Sequence, residues 1–185
     1  MATAFCPACL QPQSLHPVCP NCGWCCDTSR VDPLYLSPGT IIKPPYHVAR
    51  VLGHGGFGIT YLGWDANLEI KVAIKEYLPR AFAIRDISSL SVLPKGEENQ
   101  AWFQIGLKQF LDEARTLAKF QQHPGIVSVL AFFPAMGTGY MVMEYIDGET
   151  LKSYLQRVGR LSWAKTLEIF MHVMDALRAV HKAGL

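Results

Sequence analysis

A run of glycines set between apolar residues constrains this chain more than any other feature. Val51-Leu-Gly-His-Gly-Gly-Phe-Gly-Ile-Thr-Tyr-Leu62 places Gly53, Gly55 and Gly58 in the order G-x-G-x-x-G. Glycine tolerates positive φ and lets the backbone approach a ligand closely. Successive N–H groups in such a turn form a concavity suited to phosphate oxygens. In a dinucleotide-binding fold this pattern follows a strand and opens a helix. Here Ile59, Thr60 and Tyr61 follow, which predicts a second strand instead. The expected unit is a strand–glycine turn–strand hairpin able to cover a nucleotide. Val72-Ala-Ile-Lys75 comes ten residues after Leu62, and its alternation can aim the Lys75 ammonium under that cover.

The glycine pattern followed by Val72-Ala-Ile-Lys75 resembles the small lobe of a eukaryotic-like protein kinase. The wording Gly55-Gly-Phe-Gly-Ile-Thr-Tyr61 and Lys75-Glu-Tyr-Leu-Pro79 is similar to bacterial serine/threonine kinases. Thr60 stands where that family has valine, and keeps the β-branched shape. The alternative is a hairpin with a glycine-rich bend and an ordinary surface lysine.

All six cysteines lie within the first 30 residues. Cys6-Pro-Ala-Cys9 and Cys19-Pro-Asn-Cys22 are two C-x-x-C pairs, and four such thiolates can close a tetrahedral zinc site. A four-cysteine, zinc-ribbon-like module over 1–30 is expected. Cys25 and Cys26 fall outside the pattern, and His16 inside it is a substitute ligand. A disulfide framework needs an oxidising compartment. The start, Met1-Ala-Thr-Ala-Phe-Cys6, has no basic or apolar leader region, so a reducing, cytoplasmic setting is expected. A redox C-x-x-C lacks the βαβ context that it needs. Net charge is +2 from 17 basic and 15 acidic residues, and residues 1–40 hold one basic residue, Arg30. Nucleic-acid binding would need a clustered basic excess. A protein partner or a regulatory role is therefore expected for the module.

Residues 31–45 form a linker rich in proline, with Leu34, Tyr35 and Leu36 as an anchor point. Strands are expected at Tyr46–Leu52, Ile59–Trp64 and Glu69–Tyr77, and a connection without clear period over Glu76–Gly96. Phe103, Leu107, Phe110, Ala114, Leu117 and Ala118 recur at helical spacing within Glu97–Gln121. Glu113 falls on or beside that apolar side, where a carboxylate needs a partner. Twenty residues from Pro124 to Met143 carry no charge. Pro134 and Met136-Gly-Thr-Gly139 interrupt them, so two strands, Ile126–Phe133 and Tyr140–Tyr145, fit better than a membrane span. Thr150 and Ser162 are placed to cap two final helices.

The resemblance extends over 46–185 and implies an α+β fold: a five-stranded antiparallel sheet, helix αC and the first helices of the large lobe. It implies that Leu52, Gly53, Gly55, Gly56, Phe57, Gly58 and Thr60 cover ATP, and that Ala73 and Leu52 sandwich its adenine. Met143 would be the gatekeeper, with Glu144 and Ile146 offering backbone groups to the base. Glu113 would pair with Lys75 and hold it toward the phosphates. The family's H-R-D-x-x-x-x-N and D-F-G motifs, which supply the catalytic base and the Mg²⁺ ligands, do not occur in these 185 residues. The expectation is the N-terminal, ATP-binding part of a kinase acting on protein serine or threonine, inactive by itself. The competing expectation is a pseudokinase or nucleotide-binding scaffold.

Overall fold

A computed structural model of the chain describes residues 4–6, 8–13, 18–23, 25 and 32–184. His16 and Cys26 lie outside the described residues. Near the N-terminus β1 (Ala4–Phe5) pairs with β2 (Pro12–Gln13). The main sheet is built from β3 (Ile41–Lys43), β4 (Tyr46–Gly55), β5 (Gly58–Asp65), β6 (Ile70–Tyr77), β9 (Val129–Ala135) and β10 (Thr138–Glu144). It is antiparallel throughout, in the order β3-β4-β5-β6-β10-β9. Six strands stand where five were expected. The extra one, β3, is short and adds to the edge through Ile41 opposite His47 and Lys43 opposite Tyr46.

The central strand β6 alternates strictly. Ala73, Lys75 and Tyr77 face one side of the sheet, and Val72, Ile74 and Glu76 the other. Residues with period two on a two-sided sheet must divide in this way. Register carries the division to neighbours: Thr60 opposes Lys75 and Leu62 opposes Ala73 on β5, while Tyr140 opposes Glu76 and Met141 opposes Lys75 on β10. The Lys75 side is covered by α1 (Gln100–Leu117), flanked by short 3₁₀ turns at Glu97–Asn99 and Ala118–Phe120. Phe103, Phe110 and Ala114 are its buried residues, and the rings of Phe103 and Phe110 lie 5.4 and 5.7 Å from that of Tyr77.

The opposite side holds a buried polar network. Glu76 is 0% exposed. Its carboxylate accepts from the Tyr61 hydroxyl (3.0 Å), the Tyr140 hydroxyl (2.5 Å) and the Arg85 guanidinium (2.5 Å). Arg85 also donates to the carbonyls of Leu34 and Leu90, both at 2.8 Å. Burial, and next the Glu76 carboxylate, push both phenols above the ordinary tyrosine value, so they stay protonated donors.

Arg85 lies in the stretch expected to be a loop without structure. That expectation is corrected: β7 (Ala83–Arg85) and β8 (Val92–Pro94) form a hairpin. Arg85 ties this hairpin to the main sheet through the buried Glu76 carboxylate. The anchor expected at Leu34–Leu36 is present. Leu36 is 2% exposed and its N–H donates to the Tyr61 hydroxyl, while Asp32 pairs with Arg80 at 3.3 Å.

Two helices complete the described chain, α2 (Leu151–Val158) and α3 (Trp163–Lys182). Thr150 and Ser162 cap them by accepting from the N–H groups of Ser153 and Lys165, as their types and positions predict. On α3 only Ala176 is buried; Phe170, Met171, Met174 and Leu177 are exposed. The polar stripe is engaged at the surface, with Lys165 on Glu168 (2.8 Å) and Asp175 near both His123 (3.5 Å) and Arg178 (3.6 Å). Among the described residues no helix is long and apolar enough to cross a membrane.

Removing one partner from a buried ion pair leaves an uncompensated charge, which costs about 3–5 kcal/mol. Arg85→Leu is therefore expected to lower stability by that amount in chemical denaturation. Tyr140→Phe, which removes one donor of three, is expected to cost about 1–3 kcal/mol. A loss under about 1 kcal/mol for Arg85→Leu would contradict this account of the network.

Candidate nucleotide site and cysteine cluster

The glycine hairpin, β6 and α1 converge on Lys75. Gly53, Gly55, Gly56, Phe57, Gly58, Thr60 and Lys75, with His54, line a cleft of about 380 Å³. The four glycines differ in what they permit. A Cβ at Gly53, Gly55 or Gly56 would meet nothing within 4 Å, so that backbone borders open space. A Cβ at Gly58 would lie 2.0 Å from the carbonyl oxygen of Glu76. Gly58 thus lets β5 pass close to β6. None of these four has positive φ, so glycine serves here by its size rather than by a left-handed conformation.

Lys75 donates to Glu113 at 3.1 Å and lies 5.5 Å from the centre of the Phe110 ring. The two side chains are 32% and 50% exposed. Glu113 is thus exposed at the rim of the apolar side of α1 and opens onto the cleft. Next to the pair is a cavity of about 590 Å³, lined by Phe57, Lys75, Tyr77, Phe82, Trp102, Ile105, Gly106, Gln109, Phe110 and Glu113. Gly106 allows α1 to approach, since a Cβ there would lie 2.0 Å from the Tyr77 hydroxyl.

Ala73 and Met143 are half-buried and oppose each other across β6 and β10. Leu52, in β4, is 38% exposed, and Ile146, two residues past the end of β10, is 65% exposed. Glu144 has a further task. Its carboxylate accepts from the Ser128 N–H at 2.8 Å and its own N–H donates to the Ser128 carbonyl at 3.0 Å. That double contact fixes the end of β10 against the start of β9.

The second cluster is formed by Cys6, Cys9, Cys19 and Cys22, whose sulfur atoms all lie within 4.8 Å of one another. Cys6 and Cys22 are 3.6 Å apart at sulfur, and Cys9 and Cys19 are 3.8 Å apart. A tetrahedron with metal–sulfur bonds of about 2.3 Å has edges of about 3.7 Å. These separations therefore fit a four-thiolate metal site, and they are far from an S–S bond of about 2.0 Å. The donor chemistry fits as well. The Gln11 N–H, with smaller help from neighbouring thiols, lowers the Cys9 thiol to about 6. Burial opposes ionisation of Cys19, but the N–H groups of Cys22 and Asn21 outweigh it and its pKa is lowered. Burial raises that of Cys6. The Asn21 amide also donates to the Cys9 sulfur at 3.7 Å. Cys25 is exposed and stands apart from the four.

Three features of these sites were not expected from the sequence. Glu76 and Arg85 carry the network behind Lys75, and Leu10 joins the cysteine module to the sheet. Lys75-Glu76 held a usable signal, because adjacent charges at the centre of a strand must point to opposite faces. Leu10 held none.

Residues 46–185 match the protein kinase domain family. The serine/threonine-protein kinase PknG of Mycolicibacterium smegmatis is 26% identical over 190 residues, covering 100% of this chain and 20% of PknG. The serine/threonine-protein kinase PknA of Mycobacterium tuberculosis is 32% identical over 157 residues, covering 81% of this chain and 32% of PknA. The chain thus spans a fifth to a third of the length of these curated relatives. Among solved structures, the apo form of PpkA-294 has a TM-score of 0.63 and 40% identity, over 68% of this chain and 43% of that one. The PknI kinase domain of Mycobacterium tuberculosis has a TM-score of 0.59 at 24% identity, over 82% and 53%, a likeness of fold. The glycine hairpin, the Lys75 strand and the packed α1 helix, matched by family along residues 46–185, mean that this chain belongs to the eukaryotic-like protein kinases, of the bacterial serine/threonine type.

Proposed function

We propose that this chain is the ATP-holding part of a kinase that transfers the γ-phosphate to serine or threonine hydroxyls of a protein. The observation that carries the reading is the 3.1 Å contact of Lys75 with Glu113 beneath the glycine hairpin. An ammonium held there can meet the α- and β-phosphates, and the open backbone at Gly53, Gly55 and Gly56 can cover them. Ala73 and Leu52 border the adenine, Met143 stands behind it, and backbone groups of Glu144 and Ile146 read its edge. The proposed division is a cysteine module over 1–30, a linker over 31–45 and kinase-domain residues over 46–185. Four thiolates hold Zn²⁺ in the module, where it supplies folding energy to a unit too small for its own core. A cytoplasmic setting is compatible with that thiolate site.

The chemistry divides between what this chain carries and what it lacks. Lys75 and the hairpin orient phosphates. The catalytic base and the Mg²⁺ ligands of the family belong to H-R-D-x-x-x-x-N and D-F-G motifs, and neither occurs in the sequence. Groups that act as a unit are not replaced by the remainder.

Three outcomes are expected. Purified under reducing conditions, the protein holds one zinc per chain by metal analysis; Cys9→Ser removes it and Cys25→Ser leaves it in place. Metal-free protein after gentle purification would end the zinc reading. In full-length protein, Lys75→Met lowers kcat/KM for phosphoryl transfer by about 10²-fold or more. The same substitution shifts stability by no more than about 0.5 kcal/mol, because the side chain is partly exposed. Loss of folding in step with loss of activity would argue against a positioning role. Finally, residues 1–185 alone incorporate no labelled phosphate into a protein substrate above the Lys75→Met background.

A further inference from the structure

Among the described residues, Leu10 carries the cysteine module onto the kinase lobe. Leu10 follows Cys9 directly and is 3% exposed. Its N–H donates to the Cys6 carbonyl at 2.8 Å, and the Cys6 N–H donates to the Gln11 carbonyl at 3.0 Å, so its pose is part of the first cysteine turn. It has φ 58°, a conformation disfavoured for a residue with a side chain and kept only where the surroundings demand it.

Leu10 is buried outside its own module. It packs with Ala49 of β4 and Leu62 of β5, and Trp64 and Tyr145 close the rim. Leu62 opposes Ala73 in register, so the peg sits on the Ala73–Lys75 face of the sheet, toward its adenine end. Tyr145 comes directly after Glu144, where β10 ends, and lies under the Lys71 ammonium, 5.9 Å from its ring centre. The first cysteine turn is therefore seated against the strand and the chain exit that border the base.

We propose that Leu10 is a positioning residue that links metal loading of the Cys6, Cys9, Cys19 and Cys22 cluster to nucleotide binding on the lobe. Gathered thiolates hold the turn closed and press Leu10 against Leu62 and Tyr145, which steadies the adenine wall. When the thiolates separate, the turn opens and the peg leaves its seat. The apolar contact of the module is thus made in cis, with its own kinase lobe. The inference rests on the nucleotide reading given above.

The test uses full-length, zinc-loaded protein and a fluorescent ADP analogue, with zinc content measured in parallel. Leu10→Ala is expected to keep its zinc and to bind the analogue about five- to tenfold more weakly, within the usual range of coupling between sites. Leu10→Met restores most of the affinity. Chelation weakens binding by wild type to a similar extent and changes Leu10→Ala little further, because both act on one contact. Ala49→Leu fills the seat from the lobe side and leaves the module's own residues unchanged. It decides the matter if Leu10→Ala loses metal, and the same weakening with zinc retained is expected. Unchanged or tighter binding by zinc-loaded Ala49→Leu overturns the proposal, as does equal weakening of wild type and Leu10→Ala on chelation. Wild type that does not bind the analogue at all sinks the nucleotide reading itself.

Discussion

The small lobe depends on a carboxylate that has no access to water. Alone, the Glu76 side chain would be far too costly to bury in ionised form. Three donors from three different strands make it tolerable: Tyr61 on β5, Tyr140 on β10 and Arg85 on β7. Those bonds determine register as well as satisfy charge. A slip of one residue between β6 and its neighbours would turn Glu76 into the cleft and Lys75 into the outer core. Lys75 would then be buried beside the Arg85 guanidinium, and Tyr61, Tyr140 and Arg85 would lose their acceptor, so the network favours one alignment. Lys75 faces the cleft because its neighbour cannot. Arg85 extends the same constraint to the chain before the sheet, through the carbonyl of Leu34.

On the opposite face, packing rather than charge determines the distance. Tyr77 stands between the rings of Phe103 and Phe110, and two glycines let the helix come near. Gly106 admits the Tyr77 hydroxyl, and Gly139 leaves room for Leu107 and Phe110. With α1 seated at that depth, Glu113 lies three residues beyond Phe110 and reaches Lys75. Both partners are substantially exposed, and exposed pairs contribute only about 0–1 kcal/mol. The pair does little to hold the helix. The aromatic contacts hold the helix, and the helix presents the pair.

What could be read in the sequence was whatever a local pattern encodes. The capping residues Thr150 and Ser162, the helical period from Phe103 to Ala118 and the strand–glycine–strand order needed no knowledge of the rest of the fold. The hairpin around Arg85 was opaque for the converse reason. Its strands are three residues each, too short for a period, and Arg85 reads as a loop charge until Glu76 is known to be buried. The sixth strand was hidden in the same way, as three residues before Pro44-Pro45. Glu113 lay near the apolar stripe, and periodicity alone did not tell that it would be half exposed. Leu10 is the extreme case. An apolar residue after Cys-x-x-Cys has many uses, and its partners Ala49 and Leu62 lie far along the chain.

The glycine motif answers two physical demands at once, which explains why the pattern alone is a weak signal. Gly58 is required by the sheet, since any side chain there would strike the backbone of Glu76. That demand would hold in a protein that never met a nucleotide. Gly53, Gly55 and Gly56 face open space, and nothing within the described chain forbids a methyl group at any of them. Their small size is needed only if something else comes close to that backbone. An alanine at Gly58 therefore probes the fold and an alanine at Gly55 probes the ligand, although both occupy fixed positions of one motif. The motif gains its meaning from Lys75. The same strand that forbids a side chain at Gly58 carries the ammonium under the open part of the hairpin, so one close approach of β5 to β6 builds both the wall and the charge of the site.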